Sequence, residues 1–248
     1  MHLFLTSSPC TEPLPDSSLP FRFTEANGFL ARLKQYAIPD RPLVMLASSP
    51  RNHDLNDAFL HEFHACCLFH QLCSAQCVMV DDRNAEDFRQ LVENAGLIIL
   101  SGGHVPTQQA FFATLKDSGN ILRTCRAPLL GISAGSMNAA KTVYAQPEEP
   151  GEAIDPLYRR FLPGLGLTTL NILPHLQEVR HRNLDGLRLF EDITFPDSMG
   201  RTFYAYPDGS YIEVNDCEAI ARGEMHRIRN GIMQQILEDG ASMVLEEA

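Results

Sequence analysis

The sequence predicts an α/β protein of three layers, αβα, with a mainly parallel central sheet and antiparallel strands towards its C-terminus. Three observations lead there. Short apolar runs alternate with helix-patterned segments through the first 140 residues. Those runs are almost continuously apolar, as expected of strands covered on both faces. After about residue 200 the helical spacing gives way to short β-like runs marked by turn dipeptides. Strand–helix–strand alternation implies right-handed crossovers and hence a parallel sheet with helices on both sides.

The elements follow in order. "HLFLTS" (2–7) is the first strand, and the proline- and serine-rich "SSPCTEPLPDSSLP" (7–20) is short enough to be a loop. "NGFLARLKQYA" (27–37) has helical spacing and leads to the strand "PLVMLAS" (42–48). A long helix over 53–72, with Asp54 as its N-cap, precedes the strand "CVMVD" (77–81). Asn84 caps a helix over 84–95, "GLIILSGG" (96–103) is a strand, and 107–119 is one helix. "PLLGIS" (128–133) and "LNILP" (170–174) are strands, and "NLDGLRLFEDI" (183–193) is helix-like. The tail reads "TFYAYP", "SYIEV", "CEAIARG" and "MHRIRNGIMQQI", with tight turns at Asp208-Gly209 and Asn230-Gly231. These are expected to be antiparallel strands extending or capping the same sheet. No composition shift marks a boundary, so 1–248 is read as a single domain.

A formal charge of −11 disfavours phosphate backbones and anionic lipid, so neither nucleic acid nor a membrane is an expected partner. The N-terminus lacks the basic and apolar regions of a signal peptide, and no run approaches the ~18 apolar residues of a membrane span. Seven cysteines, several of them in apolar segments, fit a reduced, cytoplasmic protein.

The chemistry concentrates in "GISAG" (131–135). In a parallel sheet, ligands gather beyond the carboxyl ends of the strands. Ser133 closes a predicted core strand there, and Gly131 and Gly135 permit the sharp turn that exposes a nucleophilic hydroxyl. A helix starting near Ala134 aims unpaired N–H groups at the same place, with the Ala134 N–H as one oxyanion donor. Gly102-Gly103, ending another strand, are positioned to supply the second donor. A serine nucleophile needs a base, and the base needs an acid to orient it. Of nine histidines, His175 closes a predicted strand and so belongs at the same sheet edge.

Together "LFLTSS", "LSGGH", "GISAGSMNAA", "ILPH" and "YPDGSYI" resemble peptidase family S51, with dipeptidase E as the nearer relative and cyanophycinase as the more distant one. The resemblance runs from the first strand to about Val214. It implies a flavodoxin-like, class I glutamine-amidotransferase-like fold with serine at the elbow. By position it makes Ser133 the nucleophile, His175 the general base, and Gly103 and Ala134 the oxyanion donors. It seeks the third member between serine and histidine, where Glu148, Glu149, Glu152 and Asp155 are available. Glu148, 15 residues after the serine, is taken first.

The resemblance further implies a serine peptidase acting on small peptides, foremost dipeptides with an N-terminal aspartate, without a cofactor, as a monomer or homodimer. An aspartyl substrate calls for a cation, for which Arg180, Arg182 and Arg188 are candidates, and Gln108, Tyr144 and Tyr206 are candidate pocket residues. Thiol chemistry on this fold is disfavoured because the nearest cysteine, Cys125, lies before the elbow strand. The tempting metal motif around His61, His64, Cys67, His70, Cys73 and Cys77 is read as helix: three-residue steps drift around the axis and leave His61 and His70 on roughly opposite sides. No metal is expected.

Overall fold

The computed structural model describes residues 1–15 and 17–245. Asp16, within the predicted 7–20 loop, and residues 246–248 lie outside the described residues. The architecture is the expected α/β arrangement. Five short strands, β1 (Leu3–Thr6), β2 (Leu43–Leu46), β3 (Cys77–Val80), β4 (Leu97–Leu100) and β5 (Leu129–Ile132), pair in parallel in the order β1-β5-β4-β2-β3. Every residue of β1, β2, β4 and β5 is buried, which is why these runs carry no polar alternation. The intervening helices are α1 (Phe29–Tyr36), α2 (His53–Phe69), α3 (Phe88–Asn94), α4 (Val105–Phe112) and α5 (Ser118–Thr124). Among the described residues no helix is long and apolar enough to cross a membrane.

Local expectations are adjusted in four places. Asn52, not Asp54, caps α2: its side chain accepts the Leu55 N–H at 3.4 Å, and Asp54 lies in the first turn. Asn84 precedes a short 3₁₀ turn but points its side chain backwards, accepting the Asp81 N–H and donating to the Met79 carbonyl. The single helix expected over 107–119 is broken into α4 and α5 by a turn in which Asp117 adopts φ 57°. The segment 183–193 opens as a small hairpin, because Asp185-Gly186 take φ 54° and 86° and form a tight turn, before a π-helical stretch over Leu189–Thr194.

The tail departs further from expectation. Strands β8 (Tyr211–Val214), β9 (Ala219–Arg222) and β12 (Ser242–Leu245) extend the main sheet in antiparallel fashion beyond β1. The others build a second sheet: β6 (Asn171–Leu173) pairs in parallel with β7 (Thr202–Ala205), followed by antiparallel β10 (Met225–Arg229) and β11 (Ile232–Leu237). Asn230-Gly231 make the expected hairpin between β10 and β11. Asp208-Gly209 do not make a hairpin; they carry the chain from β7 in one sheet to β8 in the other. The strand ahead of His175 therefore belongs to the second sheet, not to the main one.

All seven cysteines are free, and Cys66, Cys67 and Cys73 pack in the core. In the histidine-rich helix, His64 Nε2 meets the Ser74 carbonyl and His70 Nε2 accepts the Phe23 N–H. Each of these two ring nitrogens meets a backbone group.

Candidate active site

The elbow is a packed object. Ser133 sits at φ 49° and ψ −113°, between β5 and the short helix α6 (Ala134–Asn138). This backbone is costly for a residue with a side chain and needs outside support. The support comes from β1: the Ser133 N–H is shared between the carbonyls of Thr6 at 3.0 Å and Ser7 at 3.1 Å. Thr6 Oγ1 donates to the Gly131 carbonyl at 2.6 Å, and Ser136 Oγ donates to the Thr6 carbonyl at 2.8 Å. Gly135 is required by close approach, since a Cβ there would lie 2.1 Å from the Leu100 carbonyl oxygen.

A second turn, after β4, faces the elbow. Gly103 has φ 148°, and a Cβ on it would fall 2.4 Å from Ser48 Oγ. Among the described residues, neither the Gly103 N–H nor the Ala134 N–H meets a protein acceptor. Two free donors beside a serine hydroxyl could serve a developing oxyanion. Gly103→Ala is therefore expected to displace the turn and slow acylation by on the order of 10²–10³-fold, the scale of one lost donor. Stopped-flow acylation with an activated ester checks this; a rate within twofold of the parent would remove Gly103 from the site.

Gln108, a predicted substrate contact, has a different task. It is fully buried, donates to the Ser101 carbonyl at 2.7 Å and accepts from Asn138 Nδ2 at 3.0 Å. It ties the glycine turn to the end of α6 and does not line the cavity.

The expected base, His175, lies beside the second sheet. His175 follows β6 in a left-handed conformation, φ 55° and ψ 38°, ahead of the single turn α7 (Leu176–Val179). Its Nδ1 lies 2.9 Å from Asp208 Oδ1, just after β7. The parallel pairing of Leu173 with Ala205 thus places an imidazole and a carboxylate side by side. Asp208 Oδ1 also accepts the Ser7 hydroxyl and the Ser8 N–H, and Oδ2 accepts Gln177 Nε2 at 2.8 Å. Burial works to raise the Asp208 carboxyl, but hydrogen bonds from His175, Ser7 and Gln177 outweigh it and hold the group below the usual carboxylate range. Burial likewise works to lower His175, yet the Asp208 hydrogen bond and charge, with the charges of Glu178 and Glu148, raise it above its ordinary value.

Ser133, Gly103 and His175 line one cavity of about 320 Å³, together with Glu148, Glu178, Arg182 and the apolar Met137, Leu173 and Leu189. Among the described residues, Ser133 Oγ makes no hydrogen bond, and the His175 ring bonds to other side chains through Nδ1, with Nε2 making none.

The expected acid is displaced. Glu148 lines the cavity, but its Oε1 accepts the Val105 N–H at 3.0 Å, and it makes no hydrogen bond to His175. Burial raises its carboxyl, reinforced by the Glu152 and Glu149 charges. Glu152 instead organises the loop, accepting the N–H groups of Glu148 and Glu149 and meeting His104 Nε2 at 2.8 Å. Among the described residues, Glu149 and Asp155 make no hydrogen bond or ion pair with His175 either. The carboxylate on the imidazole is Asp208, which follows the histidine in sequence; a search confined to residues between serine and histidine cannot reach it.

Of the arginines, Arg182 reaches the cavity and donates to the Glu148 carbonyl at 2.7 Å. Arg180 is exposed and does not line the cavity, and Arg188 pairs with Asp192. Tyr144 and Tyr206 pack inside the protein, bonded to Asp197 and to the Leu5 carbonyl, and do not line the Ser133 cavity.

Three clusters among the described residues bring histidine and carboxylates together: His53–Asp81–Asp82, His104–Glu149–Glu152, and His175–Glu178–Asp208 of the candidate site itself. In the first, Asp81 is occupied by Arg83 and Asn56; in the second, Glu152 is occupied by backbone N–H groups and His104.

Residues 53–222 match the family model of peptidase family S51, a span that holds Gly103, Ser133, His175 and Asp208. A peptidase from an acI-B1 actinobacterium has a similar solved structure, with a TM-score of 0.65 at 17% identity, covering 98% of this chain and 96% of that one. A candidate peptidase E protein from Listeria monocytogenes EGD-e is similar at a TM-score of 0.54 and 12% identity, covering 95% of this chain and 98% of that one. At such identities the likeness is one of fold. No curated protein matches the chain.

Proposed function

The chain belongs to peptidase family S51, and from that premise we propose that it is a serine peptidase working through Ser133, His175 and Asp208 on small peptides. The observation that carries this reading is the His175–Asp208 pair opening onto the same cavity as Ser133 and the free N–H groups of Gly103 and Ala134.

His175 Nε2 takes the proton of Ser133 as Oγ attacks the amide carbonyl; catalytic hydrogen bonds of this kind commonly form or tighten only once substrate is bound. Asp208 holds the Nδ1–H tautomer and stabilises the imidazolium. The two N–H groups receive the oxyanion. His175 then protonates the leaving amine, and water attacks the acyl-enzyme by the reverse roles.

The substrate follows from size and charge. A cavity of about 320 Å³ lies at the small end of the ~300–1,000 Å³ typical of ligand pockets, suiting a dipeptide better than a long chain. Its charged lining is mixed: Glu148 and Glu178 offer carboxylates to a substrate ammonium, and Arg182 offers a guanidinium to a carboxylate. An N-terminal aspartate carries both groups close together, so Asp-X dipeptides are the preferred class, with Arg182 on the side-chain carboxylate.

The test has two parts. A fluorophosphonate is expected to label the protein at Ser133, mapped by peptide mass, with Ser133→Ala as the blank. A panel of Asp-X, Glu-X, Asn-X, β-Asp-X and Ala-X dipeptides is expected to favour Asp-X, with Arg182→Ala raising KM for it selectively. Failure to label rejects serine catalysis. Labelling with a preference for Ala-X rejects only the aspartyl assignment.

A further inference from the structure

Ser7 lies outside the span matched by the family and outside the cavity lining, yet it touches both halves of the proposed machinery. Its main-chain carbonyl accepts the Ser133 N–H at 3.1 Å. Its hydroxyl accepts the His175 N–H at 2.7 Å, donates to Asp208 Oδ1, and lies 3.2 Å from His175 Nδ1. We propose that Ser7 is the positioning residue of this site, fixing the base and its acid against the nucleophile's own backbone.

Three features support this. His175 is a non-glycine residue in left-handed conformation, and its N–H precedes α7 with no carbonyl to meet; the Ser7 hydroxyl is its acceptor. A hydroxyl has one proton and two lone pairs, and here the proton goes to Asp208 while lone pairs face His175. Ser7 is wholly buried, so bulk water does not stand in for a missing oxygen.

The role has an electrostatic signature. The charged groups facing His175 are Asp208 after β7, Glu178 in α7 and Glu148 from the loop ahead of Glu152. Without the Ser7 hydroxyl, Asp208 loses a neutral donor that draws on its charge. The carboxylate then acts more strongly on the imidazolium, which keeps its proton to higher pH. The acid limb of the pH–rate profile moves upwards.

This inference rests on the serine-peptidase reading, so two readouts are paired. Fluorophosphonate labelling of the full chain against pH reads the catalytic consequence, and NMR titration of the His175 imidazole reads the coupling without turnover. Ser7→Ala is expected to label more slowly by up to about 10²-fold, the scale of a 1 Å misplacement, with its acid limb and its His175 titration both displaced to higher pH. Ser7→Cys, which keeps the side chain's reach with weaker hydrogen bonds, is expected to shift both in the same direction and serves if the alanine variant does not fold. A His175 titration unchanged in the folded variants overturns the role of Ser7. Absence of labelling in the parent protein, with the titration still displaced, counts instead against the peptidase reading.

Discussion

Ser133→Ala and His175→Ala are each expected to lower kcat by on the order of 10⁶-fold, and the double variant to fall no further. The two side chains act as one unit: an alcohol without a base is a poor nucleophile, and a base without the alcohol has nothing to activate. What remains in either variant is the catalysis supplied by the free N–H groups of Gly103 and Ala134 and by binding in the cavity. The measurement is kcat on an Asp-X dipeptide for all three variants. Losses that multiply in the double variant would show that the two residues act in separate steps.

The acid gives the second large effect. Asp208→Asn is expected to reduce the rate by on the order of 10⁴-fold with little change in KM, because a neutral amide neither fixes the Nδ1–H tautomer nor stabilises an imidazolium. The pH profile carries a sign. His175 must be neutral to act, and in the parent protein Asp208 lifts it above its usual 6.5, so the rate falls as pH drops through that raised value. In Asp208→Asn burial acts on the imidazole with less opposition, and the acid limb moves to lower pH, opposite to the shift expected of Ser7→Ala. Glu148→Gln is expected to label with fluorophosphonate near the parent rate, since its carboxylate holds the Val105 N–H and does not bond to His175. Inactivity of Glu148→Gln towards the probe, beside an active Asp208→Asn, would return the acid role to the loop.

The parallel core was legible because β1, β2, β4 and β5 are buried on both faces and nearly uniform in character. The elbow was legible for a local reason: close packing against β4 at Gly135 leaves a mark within five residues. The acid was not, because its selection depends on which strands lie side by side. Nothing in "LNILPH" or "TFYAYPDG" states that β6 and β7 pair in parallel with Leu173 against Ala205, and that register alone brings His175 and Asp208 together. The Asp208-Gly209 dipeptide reads as a turn, which it is, and the turn hides the carboxylate's second task. Gln108 was misjudged for a similar reason: a polar side chain just past a glycine turn looks available until Asn138 and Ser101 are seen to claim it. Ser7 stands in "LFLTSS", which marks it as the end of the first strand but carries nothing about His175 or Asp208.

In the proposed machinery Ser133 and the N–H donors ride on the main sheet, while His175 follows a strand of the smaller one and Asp208 lies on the crossing between the two. Proton transfer therefore spans a seam between two separately hydrogen-bonded slabs. A slip of an ångström along that seam would leave every strand pairing intact and still uncouple alcohol from imidazole. Turnover in such an enzyme gauges how firmly the slabs are docked, and under heating it is set to fail before the spectroscopic signal of either sheet declines.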